Sequence, residues 1–127
     1  MKNLLPRVKE EIEQIKEEYP GTVIRMQSNG GVHLEIPNMP LPKWWEPPTI
    51  SLLIVLQPDY PNSRPGFFTP PDVKLKENGN PPGGSSEAEI EGKKWKGYCW
   101  NPSQWDLSRE TLWKFVKFAI LRFNERQ

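Results

Sequence analysis

The sequence TISLLIVL at Thr49–Leu56 decides the fold, because its apolar side chains occupy both faces of an extended chain. A run of this kind is typical of a central strand that a helix covers on one side and that is partly covered on the other. The sequence therefore predicts a sheet whose core is built around residues 49–56.

The segment that follows this strand is rich in proline. Gln57–Pro71 reads QPDYPNSRPGFFTPP, and prolines spaced this closely cannot donate the hydrogen bonds of a sheet ladder. We expect an ordered loop here, in which one of the adjacent Phe67 and Phe68 is core and the other is a surface contact. Asp72–Leu75 is predicted to be a short edge strand that its lysine protects from further pairing.

Two shorter strands are predicted before the central one. Thr22–Met26 and Val32–Ile36 are joined by the turn residues Ser28–Gly31, as in a hairpin. Alternation along the second strand turns three residues toward the core: Val32, Leu34 and Ile36. His33 then shares the outward face with Glu35, so we interpret it as a solvent-facing histidine with no catalytic role.

Helical periodicity marks both ends of the chain. Residues 4–19 carry an apolar stripe of Leu5, Val8, Ile12, Ile15 and Tyr19, and Pro20-Gly21 ends the helix. The charged residues of this helix are expected either on a solvated face or on a face that docks a partner: Lys9, Glu10, Glu11, Glu13, Lys16, Glu17 and Glu18. A second helix is predicted to begin with Ser108 as its N-cap and Glu110 in its first turn. Its apolar stripe is Leu112, Trp113, Val116, Ala119, Ile120 and Phe123.

The glycine- and serine-rich segment from Lys76 to Gly92 is expected to be a mobile loop, and its glycines lack the spacing of a phosphate-binding motif. The chain is therefore predicted to be a single α+β domain over residues 1–127. Its predicted order is an N-terminal helix, a four-stranded antiparallel meander, a long loop that contains a cysteine, and a C-terminal helix.

That cysteine, Cys99, lies in GYCWNPSQW at Gly97–Trp105 and is the only one in the chain. A lone thiol in an irregular, aromatic-flanked loop before a helix is a candidate nucleophile, and the alternative is a small buried hydrophobic residue. Three lysines upstream could favour the thiolate or simply be solvated: Lys93, Lys94 and Lys96. Tyr98, Trp100 and Trp105 are expected either to form the walls of a groove or to pack beneath the helix.

Composition excludes several classes of function. The formal net charge is +1, so nothing in the overall charge indicates binding to nucleic acid or to an anionic membrane. One cysteine forms no intrachain disulfide, which favours a reducing, cytoplasmic location. One cysteine and one histidine cannot supply a structural zinc site, and the sequence indicates neither a metal nor another cofactor.

The order of elements, together with particular residues, is similar to the ubiquitin-conjugating-enzyme family. Leu56–Pro61 (LQPDYP), followed by Pro65, Pro70 and Pro71, resembles the proline-rich loop of that family. Cys99, Trp105 and the helix that follows resemble its pattern of nucleophile, tryptophan and second helix. The resemblance implies that Cys99 accepts a ubiquitin-like protein from an activating enzyme as a thioester and passes it to an amine of a target protein.

Two departures from the family pattern are visible. The His-Pro-Asn triplet that usually precedes the cysteine is missing, and either Asn80 or Asn101 could supply the amide instead, or neither. The sequence also stops soon after the second predicted helix, where usual members continue. Both features resemble divergent bacterial members, some of which serve antiphage defence.

Two other hypotheses remain open at the level of sequence. A non-catalytic member of the same fold would bind a ubiquitin-like protein or act as a scaffold. An unrelated α+β domain would use Cys99 as a core residue.

Overall fold

The computed structural model describes residues 6–60, 62–98 and 111–124. In chain order, the elements are α1 Pro6–Glu18, β1 Val23–Met26, β2 Val32–Pro40, β3 Trp45–Glu46, β4 Thr49–Leu56, β5 Gly66–Thr69, β6 Lys74–Leu75, β7 Ser85–Ile90, β8 Lys93–Tyr98 and α2 Leu112–Phe123. Within these residues, six strands form one sheet in the order β1-β2-β4-β5-β8-β7, and β3 pairs with β6 in a second, two-stranded sheet. Every pairing is antiparallel.

The predicted α+β architecture with two helices and an antiparallel sheet is confirmed, but the prediction of four strands in the sheet was wrong. The strand that pairs with β4 on its second side is Gly66–Thr69, inside the segment predicted to be a loop. Its four residues lie between Pro65 and Pro70 and include no proline, so they keep the amides that a ladder needs. Lys74–Leu75 is a strand, but it pairs with β3 outside the main sheet.

The prediction of a mobile loop over residues 76–92 was also wrong for residues 85–92, whereas residues 76–84 contain no helix or strand. Ser85–Ile90 and Lys93–Tyr98 form a hairpin that pairs along its whole length, from Ser85 opposite Tyr98 to Ile90 opposite Lys93. Its two-residue turn is Glu91–Gly92, with φ of 55° and 74°. Positive φ at both central residues is the property of the type I′ turn that suits the twist of a hairpin.

The central strand behaves as its sequence predicts. β4 lies between β2 and β5, with Leu34 opposite Ile54 and Leu53 opposite Phe68. Ile54 and Leu53 point to opposite faces of the sheet, and both are 0% exposed. Both faces of the strand are therefore covered.

The two helices cover one face, which we call the helix face. The main core joins the buried residues of α1, β2, β4 and α2 in one cluster. It includes Val8, Ile12, Ile15, Val32, Leu34, Ile36, Leu52, Ile54, Leu56, Leu112, Phe115, Val116, Ala119 and Phe123. The predicted stripe of α1 is confirmed for Val8, Ile12 and Ile15, whereas Glu11, predicted on the charged surface of α1, is buried. Phe115, which was not among the residues of the predicted stripe, also belongs to the buried face of α2.

The start of α2 differs from the prediction. Thr111 is the N-cap, and its side-chain oxygen accepts a hydrogen bond from the Lys114 backbone amide at 3.3 Å. Ser108, which was predicted to be the N-cap, and Glu110, which was predicted in the first turn, lie outside the described residues. The helix therefore begins at Leu112, three residues after the start that a Ser108 cap predicts.

We call the opposite side of the sheet the outer face. The β7–β8 hairpin belongs to the same sheet, but its tip reaches β1 and β2 and so covers part of this face. Leu53 and Trp95 are buried there, outside the main core cluster. Glu91 at the hairpin tip forms an ion pair with Arg25 of β1 and a hydrogen bond with His33 of β2, and Arg25 also pairs with Glu35. His33 was predicted to face solvent, but its side chain is only 13% exposed because Glu91 lies against it.

The connection between β2 and β4 is anchored on the end of α2. Trp45 is fully buried, and its indole N–H donates to the backbone oxygen of Phe123 at 2.8 Å. Its ring meets the Phe123 ring edge-on, with centroids 5.7 Å apart. This arrangement holds the last turn of α2 against the proline-rich connection.

Candidate functional site

The predicted nucleophile Cys99 lies in the segment 99–110, which is outside the described residues. Trp100, Asn101 and Trp105 belong to the same segment. The residues on both sides of this segment are described: Tyr98, the last residue of β8, and Thr111, the N-cap of α2. The site is therefore built from the two anchors that hold the ends of the segment, and Cys99 is the residue directly after the first anchor.

The first anchor is Tyr98. Its hydroxyl forms a hydrogen bond of 2.7 Å with the hydroxyl of Thr69, a residue that is 0% exposed. Its ring stacks on Phe67 at 5.0 Å with an interplanar angle of 7°, and it meets Phe123 edge-on at 5.7 Å. Burial raises the pKa of Tyr98, so its hydroxyl stays neutral. The backbone that leads into Cys99 is thereby fixed to β5 and to α2.

The residue before this anchor must be small. Gly97 lies opposite Phe68, and a Cβ at position 97 would come 2.9 Å from the Phe68 ring. Glycine lets the ring lie flat against the backbone at this point. The last two residues of β8 are therefore packed on opposite faces of the sheet, Gly97 by Phe68 on the outer face and Tyr98 by Phe67 on the helix face.

The second anchor is the start of α2. The Leu112 backbone amide donates to Oε1 of Glu11 at 2.7 Å. The hydroxyl of Tyr60, which belongs to the predicted proline-rich loop, donates to the same oxygen at 2.6 Å. Burial and the hydrogen bond to Glu11 raise the pKa of Tyr60, which keeps the phenol protonated. Three separate parts of the chain, α1, the loop after β4 and α2, thus meet at one carboxylate.

A cleft of about 370 Å³ opens beside the end of β8. One side of it is formed by residues 71–81 and the other by the β7–β8 hairpin, with Pro71, Lys74, Pro81, Ser85, Glu87 and Lys96 among its lining residues. Ser85, which lines the cleft, lies opposite Tyr98, and Cys99 follows Tyr98 in the chain. One end of the cleft is therefore next to the residue that precedes Cys99.

A comparison with protein-family models matches residues 13–123 to the prokaryotic E2 family E. The match spans most of the chain. The protein belongs to the prokaryotic E2 family E. Comparisons with curated proteins and with solved structures gave no match. Family membership supports a general E2-like role in ubiquitin-like conjugation, and the resemblance to a bacterial E2-like family stated from the sequence is confirmed.

The lysines upstream of Cys99 in this family E protein are not equivalent. Lys93 and Lys94 lie about 13–17 Å along β8 from Tyr98, beyond the screening length of physiological salt. Lys93 sits over the Trp95 ring at 5.0 Å. The Lys96 ammonium donates to the backbone oxygens of Pro71 and Val73. Of the three lysines proposed to favour the thiolate, Lys96 is therefore the nearest in the chain, and its charge is held at the rim of the cleft.

Asn80, one of the two candidate amide donors, is exposed in the turn after β6. Its backbone is used by that turn: its N–H donates to the Asn78 side chain at 2.9 Å, and its oxygen accepts from the Leu75 amide at 2.9 Å. The neighbours Gly79 and Pro81 line the cleft. Asn101, the other candidate, lies outside the described residues.

Two further properties of the family E protein follow from the part of the chain that is described. No helix in residues 6–60, 62–98 and 111–124 is long and apolar enough to cross a membrane. Among the same residues, no group of three histidine, cysteine, aspartate or glutamate side chains is placed to hold a metal ion.

Sequence reasoning missed Glu11 and Thr69 as parts of the site. Glu11 looked like one of many helix carboxylates, and the signal that distinguishes it is its spacing from the apolar stripe, since it lies three residues after Val8 and four before Ile15. Thr69 was hidden inside a run of residues interpreted as a loop. Each could be assigned to the site only from its partners in the folded chain, which are Tyr60 and Leu112 for Glu11 and Tyr98 for Thr69.

Proposed function

We propose that this chain is the E2-type carrier of a bacterial ubiquitin-like conjugation system, with Cys99 as its nucleophile. The observation that carries the proposal is the family match over residues 13–123, because the only cysteine of the chain lies within it. Systems of this kind serve antiphage defence in some cases, and that context is part of the proposal.

The chemistry needs two exchanges at one sulfur atom. In the first, the Cys99 thiolate attacks the carbonyl carbon of the thioester that links the ubiquitin-like protein to its activating enzyme. A new carbon–sulfur bond forms and the thiolate of the activating enzyme leaves. In the second, an amine of the target attacks the same carbon, an amide forms, the Cys99 thiolate leaves and the amine loses a proton to solvent.

Both exchanges depend on positioning more than on acid–base groups. A thioester reacts with a nearby amine when the two are held in contact, so no strong base beside Cys99 is required. The fixed backbone at Tyr98 supports the proposal because Cys99 is one residue away, and consecutive Cα atoms are separated by about 3.8 Å. The cleft that begins at Ser85 is a suitable place for an extended peptide tail.

A charging reaction tests this function. The chain is incubated with a ubiquitin-like protein, its activating enzyme and ATP, and the products are separated without reductant. We expect a conjugate that a thiol reductant removes. In Cys99→Ser, we expect it to be replaced by an ester that the reductant does not remove.

A chain that forms no thiol-sensitive conjugate but still binds the ubiquitin-like protein would be a non-catalytic binding domain of the same fold. A Cys99 that resists alkylation in the folded protein would instead be a core residue. Either result would overturn the carrier function.

A further inference from the structure

The strand β7 lies at one edge of the main sheet, and the proposed chemistry does not use it. Among the described residues, β7 pairs with β8 alone. An edge strand carries a row of backbone N–H and C=O groups that can pair with another chain, and proteins block such edges with prolines, bulges or charged side chains. Ser85–Ile90 contains no proline, and its register with β8 has no bulge. The charged side chains of β7 are its two glutamates.

The turn of the hairpin determines which backbone groups of β7 point outward. A two-residue turn is flanked by a hydrogen-bonded pair, whose member in β7 is Ile90, and such pairs alternate with non-hydrogen-bonded pairs along the ladder. Glu87 and Glu89 belong to the non-hydrogen-bonded pairs, so their N–H and C=O groups point away from β8. Ser85 has the same orientation, and its N–H donates to the Pro82 oxygen at 3.2 Å, outside the hairpin. The free edge therefore offers one donor and one acceptor at each glutamate.

The side chains of the two glutamates are also available. Glu87 lies opposite Lys96 and Glu89 opposite Lys94, on one face of the hairpin that we call the glutamate face. Neither carboxylate forms an ion pair with a residue of the described ranges. The Lys96 ammonium instead donates to backbone oxygens of residues 71–73. Both glutamates are exposed, so the free edge presents two negative charges on one face.

Two clefts lie beside the glutamate face. One has a volume of about 280 Å³ and is lined in part by Glu87, Glu89 and Lys94. The other is the cleft of about 370 Å³ at the end of β8. Glu87 and Pro71 line both, so the two clefts adjoin along the strand. On the other face of β7, Ala88 is only half-buried. An added strand would therefore have space for its side chains on one face and an apolar contact on the other.

The two glutamates determine which partner suits this edge. A second copy of the chain would pair antiparallel about a twofold axis perpendicular to the sheet, which keeps the glutamate faces on the same side. In the registers that pair most of β7, Glu87 of one copy then lies opposite Glu87 or Glu89 of the other, and like charges directly opposite each other destabilise a sheet. A strand with lysine or arginine opposite each glutamate has the complementary charges. The residue between its two cations would lie beside Ala88, where an apolar side chain fits.

We propose that the free edge of β7 binds an extended segment of a partner protein in which two basic residues flank one apolar residue. The backbone of this segment pairs with the N–H and C=O groups of Glu87 and Glu89, and its two cations pair with their carboxylates. Backbone hydrogen bonds supply affinity in this mode of recognition, and the alternating side chains supply specificity. The inference does not rest on the proposed function, because it uses only residues 71–98.

A peptide titration of the isotope-labelled full chain tests the inference by NMR. The probe is a blocked peptide with the six-residue length of β7, in which two lysines flank one valine and threonines fill the other positions. We expect saturable shifts of the Glu87 and Glu89 amide signals. At a peptide concentration about ten times its Kd, the exchange of these two amides should slow by about tenfold.

Matched peptides separate backbone pairing from charge attraction. N-methylation of the two lysine backbone nitrogens removes the donors that face β7, so we expect binding to weaken by about tenfold or more. N-methylation of the valine and of the threonine next in the chain changes nitrogens that face away, so the expected change is less than about twofold. A peptide with glutamates in place of the lysines should bind at least about tenfold more weakly.

Matched variants of the chain test the role of the carboxylates. The double variant Glu87→Gln and Glu89→Gln should bind the lysine peptide about tenfold more weakly at low salt, and the difference should shrink in 1 M salt. The double variant Glu13→Gln and Glu17→Gln removes the same charge from the exposed surface of α1 and should change binding by less than about twofold.

Four results would overturn the inference. The first is an absence of shifts at Glu87 and Glu89, and the second is equal binding of the two N-methylated peptides. The third is equal affinity of the two double variants, which would mean that the glutamates only protect the edge from pairing. The fourth is dimerisation of the chain alone with slowed exchange at Glu87 and Glu89, which would make a second copy the occupant. Failure of the charging reaction would overturn the proposed function and leave these measurements unaffected.

Discussion

The two faces of β4 are equally buried but are covered by different means. Ile54 on the helix face lies under α1 and α2, whose apolar stripes interlock with the sheet in one continuous core. Leu53 on the outer face is fully buried on the side of the β7–β8 hairpin, whose tip is held by an ion pair between Glu91 and Arg25 and by a hydrogen bond between Glu91 and His33. Complete burial of both residues therefore does not imply that they contribute equally to stability.

The largest expected effect comes from truncating these two neighbours. Ile54→Ala should lower the free energy of unfolding by about 4 kcal/mol, because the helices cannot collapse into the cavity. Leu53→Ala should cost about 2 kcal/mol, because the hairpin can move toward the space left. Urea denaturation of both variants measures the difference. Equal losses would mean that the hairpin is as rigid as the helices.

A smaller effect is expected at the hydroxyl pair on the helix face. Thr69→Val and Tyr98→Phe should each lower the free energy of unfolding by about 1–2 kcal/mol, since each removes one side of the 2.7 Å hydrogen bond. The double variant should lose about 1 kcal/mol less than the sum of the two single variants. If the losses simply add, the two hydroxyls are not coupled and Tyr98 is anchored by its ring contacts alone.

The smallest effect is expected at the tip of the outer hairpin. The hydrogen bond to His33, followed by the interactions with Arg25, lowers the pKa of Glu91 from its ordinary value of 4.5. The folded state therefore binds this proton less readily than the unfolded chain. The resulting stability is present above pH 4.5 and is lost as the pH falls through the lower, folded value.

Glu91→Gln should remove this contribution, which is about 0.5 kcal/mol for a partly exposed pair, and should flatten the decline in stability below pH 4.5. Urea denaturation at several pH values measures it. Glu89→Gln removes a charge from the same hairpin and is the control. A loss that persists in 1 M salt would contradict a screened surface ion pair.

The elements that could be predicted from the sequence are those that carry a complete hydrophobic pattern within their own residues. β4 is apolar on both faces, and the stripes of α1 and α2 repeat with the period of a helix, so each indicates its element without knowledge of neighbours. β5 was missed because the prolines on either side of Gly66–Thr69 dominated the segment. The β7–β8 hairpin was missed because no residue of β7 is buried, its apolar alternation is limited to Ala88 and Ile90, and its Glu-Gly turn lacks the stronger Asn-Gly signal.

The residues of the candidate site also fall into two groups, those that the sequence identifies and those whose role depends on partners distant in the chain. Cys99 and its place before a helix could be recognised from residue type and order, together with the proline-rich loop that contains Tyr60. The roles of Thr69 and Glu11 could not, because each depends on partners that are distant in the chain: Glu11 and Leu112 are 101 residues apart.

By itself, the sequence determined the α+β class, the central strand, the two amphipathic helices and the single cysteine that the family match encloses. Only the tertiary structure decided that a carboxylate from α1 would be buried at the start of α2, and that a polar hairpin would close over the outer face of the sheet. The physical reason is that the spacing of apolar residues along one element depends only on which face of that element is buried. A buried charge and an exposed strand are stabilised by particular partners, and folding alone brings those partners together.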